Sequence, residues 1–109
     1  MPFHVEISRG FRHARAFNLE EEDVRTRILE PWVRGRRILL GDKEWEPRDC
    51  KLVILEGPEL ADTDLAMNRG WSNAERSAEN VLTGTLGQQE DGVSIQATGR
   101  IGTPLNPGK

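Results

Sequence analysis

The stretch Arg69-Gly70-Trp71-Ser72-Asn73-Ala74-Glu75-Arg76 carries the side chains best suited to chemistry. Ser72 and Glu75 stand at the S-x-x-E spacing of a capping box, in which a hydroxyl and a carboxylate each satisfy an amide of the first helical turn. That spacing predicts a helix starting at Ser72 and ending at Thr83-Gly84. A helix N-terminus offers unpaired amides and the positive end of the dipole, which suits an anion. Arg69 and Arg76 add guanidinium groups, and Arg76 can lie over the Trp71 ring as a cation–π pair. Arg69, Gly70, Trp71, Ser72 and Arg76 are therefore the expected site for an anion or a partner. The competing reading is structural: a capped helix anchored by a tryptophan.

Two other groups suggest different chemistry. Glu56 and Glu59 flank Gly57-Pro58, with Asp62 and Asp64 close behind. Carboxylates at a strand end can hold a hard cation or move protons, which would make a small metal-dependent enzyme. Arg9, Arg12 and Arg15, with Phe11 between them, would make an RNA-binding face if they lay together. A net charge of −3 argues against binding nucleic acid by bulk charge, so nucleic acid is not the expected partner. His4, Glu6 and His13 form a workable metal-ligand set, but their spacing fits no metal motif, and solvated histidines are expected. Cys50 is the single cysteine, so no intrachain disulfide can form, and a buried structural thiol is expected. Nothing matches a phosphate loop, a dinucleotide fingerprint, a hydrolase elbow or a zinc finger. No catalytic residue, metal or cofactor is expected.

The elements that must position these groups follow from hydrophobic period. Phe3, Val5 and Ile7 alternate with polar residues, which predicts a half-buried strand. Residues 13–17 also alternate across a Gly10 turn and predict its hairpin partner, with the inward face open. Asn18 and Glu21 have the spacing of a helix start. Val24, Ile28 and Trp32 then recur at i, i+4 and i+8, and Pro31 predicts a stop or kink near Leu29 or Glu30. Gly41-Asp42 between Ile38-Leu39-Leu40 and Lys43-Glu44-Trp45 predicts a tight hairpin. Residues 50–56 are apolar on both faces and predict a central strand. The resulting expectation is an α+β fold, ββ-α-βββ-α, with an antiparallel sheet of about four or five strands and two helices on one face.

Apolar residues thin out after Leu82, and six of the eleven glycines lie in 83–109. The expected division is a domain at 1–83 and a Gly-rich flexible tail or linker at 84–109, within which residues 93–97 alternate for a few positions as a strand would. About eighty residues make a thin core, so partner contacts or homodimerisation could add stability. The start Met-Pro-Phe-His lacks a signal-peptide pattern and no apolar run has membrane-spanning length, which predicts a cytoplasmic protein.

The residues Phe11–Leu19, Glu30-Pro31-Trp32, Glu56-Gly57-Pro58-Glu59 and Arg69–Arg76 resemble a group of small uncharacterised bacterial modules, chiefly actinobacterial. The resemblance covers about residues 3–82. Such modules precede effector domains in multi-domain signalling or anti-phage conflict proteins. The resemblance implies a non-catalytic adaptor or sensor with a protein partner or effector domain, and it carries over no catalytic residue. The sequence-based reading is thus a binding module for a protein or a small anionic ligand. The metal-dependent enzyme and the RNA-binding module remain as alternatives.

Overall fold

A computed structural model describes residues 1–86 and 93–97. The fold is α+β. Its five-stranded antiparallel sheet has the order β2-β1-β5-β6-β7. The strands are β1 (Phe3–Arg9), β2 (Arg12–Leu19), β5 (Lys51–Glu56), β6 (Asn80–Leu86) and β7 (Val93–Ala97). A separate hairpin pairs β3 (Ile38–Leu40) with β4 (Lys43–Trp45). Gly41 and Asp42, at φ 63° and 66°, form its tight turn. Among the described residues, no helix is long and apolar enough to cross a membrane.

The sheet is covered on both faces, which corrects the expectation of two helices on one face. Phe3, Val5 and Ile7 of β1 and Leu52 and Ile54 of β5 meet Val24, Ile28 and Trp32 on one side. Leu55 of β5 packs with Trp71, Ala74 and Ala78 on the other. The cause is the two-sided apolar character of β5, whose Val53 and Leu55 would otherwise face water. The question of which face of residues 13–17 points inward has the same answer. Ala14 and Ala16 join the first core, and Phe17 joins the second.

The 21–33 helix does not stop at Pro31. It runs as α1 (Glu21–Val24), a π-helical turn (Arg25–Leu29) and α2 (Glu30–Val33). The Glu30 amide donates to Arg25 O, five residues back. Proline lacks the amide proton and its ring crowds the carbonyl four residues earlier. A wider turn just before Pro31 relieves that crowding without ending the helix, and Trp32 stays in register with Val24 and Ile28. Asn18 is not the cap of this helix. It lies in β2 at φ 57°, and Glu20 precedes α1 with no side-chain cap bond.

The second helical region also differs from expectation. α3 (Asp62–Ala66) and α4 (Gly70–Ser77) cross the sheet between β5 and β6. α4 begins at Gly70, so Ser72 sits inside its first turn, exposed, and no side chain caps it. The capping box is not formed. The helix ends at Ser77, because Ala78 turns extended at ψ 135° and residues 80–85 pair with β5 as a strand. Since Ser72 caps nothing, Ser72→Ala should change stability by less than about 0.5 kcal/mol in urea denaturation. Loss of a true cap would cost about 1 kcal/mol.

β6 runs to Leu86, and β7 pairs with it from Leu82↔Ala97 to Leu86↔Val93. Both extend into the range expected as a tail. Residues 87–92 and 98–109, the rest of that range, lie outside the described residues.

Candidate binding cleft beside Trp71

The β1–β2 ladder contains one irregularity. Val5 pairs with Ala16, yet Phe3 pairs with Leu19, so β2 holds an extra residue around Phe17-Asn18. Such a bulge re-aims side chains at a strand end. Here it turns the Asn18 side chain onto the loop after β5. Asn18 Nδ2 donates to Leu60 O at 3.1 Å, and the Leu60 amide donates back to Asn18 Oδ1 at 2.9 Å. The left-handed φ of Asn18 is one that asparagine tolerates better than most residues.

His4 lies under this clamp. The expectation of a solvated histidine on an edge strand fails, because β1 lies between β2 and β5 and the second core covers its other face. His4 is 0% exposed. Its Nδ1 accepts from the Asn18 amide at 3.0 Å, and its Nε2 donates to Pro58 O at 3.1 Å. That pairing sets the neutral Nε2–H tautomer. Burial lowers its pKa from 6.5, and the bond to Pro58 opposes this with a smaller effect.

Phe17 passes from His4 to a surface cleft. Its ring lies 5.9 Å from the His4 ring and 6.4 Å from Trp71, nearly edge-on to the latter. The cleft has a volume of about 290 Å³ and lies between β2 and α3–α4. His13, Ala14, Arg15 and Phe17 form one wall, and Leu65, Asn68, Gly70 and Trp71 the other. The Arg15 guanidinium sits 5.5 Å over the Trp71 ring. Its Nε donates to Glu6 Oε2 at 2.8 Å. Gly70 fits closely here, because a Cβ there would lie 2.6 Å from Leu65 Cδ2 and 3.1 Å from the Phe17 ring and would push the Leu65 side chain aside.

The expected site residues are thus partly gathered. Gly70 and Trp71 line the cleft, but the arginine over Trp71 is Arg15 and not Arg76. Ser72 and Arg76 are exposed on α4, and Arg69 is exposed with Nη2 3.1 Å from Met67 Sδ. The arginines of the expected basic face are divided. Arg9 and Arg12 pair across the hairpin end and lie on the side of Ile7, whereas Arg15 pairs with Glu6 and lies on the side of His4. Strand alternation separates them. Arg9 and Arg12 border a small crevice with Lys43, Glu44, Glu46 and Cys50, and Arg9 lies 3.7 Å from Asp49. The Cys50 thiol is buried, and burial raises its pKa from 9.0.

Glu56 and Glu59 do not converge on a shared centre. Glu56 Oε1 accepts from Asn80 Nδ2 at 2.9 Å, and Glu59 is exposed in the loop. Among the described residues, no group of three or more histidine, cysteine or acidic side chains could hold a metal. A second hollow of about 320 Å³ lies on the opposite face, lined by Phe3, Val24, Leu29 and Val33 with Glu21, Arg25 and Glu30 at its edges.

The alternation of residues 13–17 places Arg15 and Phe17 on one face, and Trp71 stands out beside a helix start. Their meeting across 56 positions was not visible. Compared with protein-family models, curated proteins and solved structures, the chain matches none.

Proposed function

We propose that this chain is a non-catalytic binding module whose cleft beside Trp71 recognises a small anionic, planar group. The group can belong to a free ligand or to a protein partner. The observation that carries this reading is Arg15, held over the Trp71 ring and braced by Glu6 at the mouth of a cavity large enough for a small ligand. Guanidinium is suited to planar carboxylate or phosphate because its donors form a rigid fork. With Nε committed to Glu6, the Nη groups are the part that meets a ligand. Arg15 and Glu6 cancel in charge, so recognition depends on directed bonds, with the guanidinium plane held by Trp71, more than on net attraction. His13 and Asn68 supply further polar contacts at the rim. The resemblance to bacterial adaptor and sensor modules agrees with a binding role in signalling or defence.

The test is a thermal-shift panel of inorganic phosphate, adenine and guanine nucleotides, and benzoate, each read against the protein's own unliganded melting temperature. A probe at about 100 times its dissociation constant should stabilise the wild type by about 2.7 kcal/mol. Arg15→Ala should weaken that probe by about tenfold or more, in line with the 1.5–3 kcal/mol of a hydrogen bond to a charged group. Arg76→Ala, outside the cleft, should bind like the wild type. Equal binding by Arg15→Ala and wild type would defeat the proposal.

A further inference from the structure

We infer that His4 is a proton-sensitive latch, which holds the end of β2 against the 57–60 loop when neutral and releases both when protonated. Three features carry this. His4 is 0% exposed and both ring nitrogens are engaged, each with a different partner segment. Nδ1 must accept, because the atom facing it is the Asn18 amide, which can only donate. The same Asn18 holds Leu60 through two bonds, so β2 and the loop meet at one side chain.

Protonation puts a hydrogen on Nδ1. Two donors then face each other in a buried space, and the Asn18 amide loses its acceptor. Among the described residues, no nearby charge offsets the imidazolium. On β1, the carboxylate on His4's side is Glu6, already paired with Arg15 of β2. On β5, the residue opposite is Leu55. In the adjoining segment, Glu56 bonds Asn80 and Glu59 is exposed. Trp71 of α4 closes the far side through Phe17. An opened latch exposes the imidazole to water, where it titrates near 6.5, above its native value. The open state therefore binds more protons just below 6.5, and opening grows as pH falls through that point. Because Phe17 precedes Asn18 and walls the cleft, acid would also weaken ligand binding; that consequence rests on the binding proposal above.

The test needs no ligand. Amide hydrogen exchange by NMR on the full chain, at about pH 7.5 and about pH 5.5, gives opening constants once intrinsic rates are divided out. Those for the Asn18 and Leu60 amides should rise severalfold between the two conditions, with about tenfold as the limit for a His4 that stays neutral while the latch is closed. At both conditions they should exceed the constant for the Ile54 amide, which reports global unfolding. His13→Gln, which removes the other imidazole, should keep the response, and His4→Gln should lose it. Nitrogen shifts of wild-type His4 should show the Nε2–H tautomer at the higher pH, a readout that needs no variant to fold. The latch is overturned if the two opening constants change by less than about twofold, if they equal that of Ile54, or if His4→Gln responds like the wild type.

Discussion

Trp32→Ala should remove about 3–5 kcal/mol of stability, the range for truncating a buried large aromatic. Trp32 is 0% exposed and closes the core formed by Val24, Ile28, Phe3, Val5, Ile7, Leu52 and Ile54. Its contribution is packing alone, since its Nε1 has no hydrogen-bond partner among the described residues. Trp32→Phe gives up that donor and keeps much of the packing, so it should cost well under half as much. Single domains are stable by about 5–15 kcal/mol, so the alanine variant should sit near the edge of folding. Urea denaturation with an unchanged slope would measure the loss. A loss under about 1 kcal/mol would show that the 21–33 helix is not seated on the sheet.

Asn18→Ala should cost about 2–4 kcal/mol, from two stranded partners at Leu60 plus a strained backbone. The Leu60 amide and carbonyl both lose the side chain that pairs them. Alanine must also adopt φ near 57°, where its Cβ is crowded and glycine's absent one is not. Asn18→Gly should therefore recover about 1 kcal/mol of the alanine loss. The two variants separate conformational strain from lost hydrogen bonds. If they unfold at the same urea concentration, the left-handed backbone at 18 contributes nothing to the cost.

Pro31 and Ser72 show why local rules misjudged two helices. At Pro31 the rule of a broken helix competes with the burial of Trp32, one residue later. Burial wins, and the backbone absorbs the proline in a π turn. At Ser72 a capping box competes with Gly70, whose missing side chain allows close contact with Phe17 and Leu65. The helix starts two residues early, because that contact seats Trp71 and Ala74 in the second core. A cap contributes about 1 kcal/mol. Full burial of one large apolar side chain contributes about 1.5–3 kcal/mol.

Period and turn chemistry in the sequence determined the local elements: the Phe3-Val5-Ile7 strand, the Gly41-Asp42 hairpin, the Val24-Ile28-Trp32 stripe and the two-faced strand at 51–56. Each depends on interactions between residues a few positions apart, which spacing records. The tertiary structure decided which faces those elements cover, and with that the burial of His4 and the partner of Trp71. Both depend on the order of strands in the sheet. Placing β1 between β2 and β5, with α4 on the far face, brings Arg15 to Trp71 and Asn18 to Leu60. Such long-range pairings leave no period in the chain, because they are set by total burial across the sheet and not by neighbouring residues.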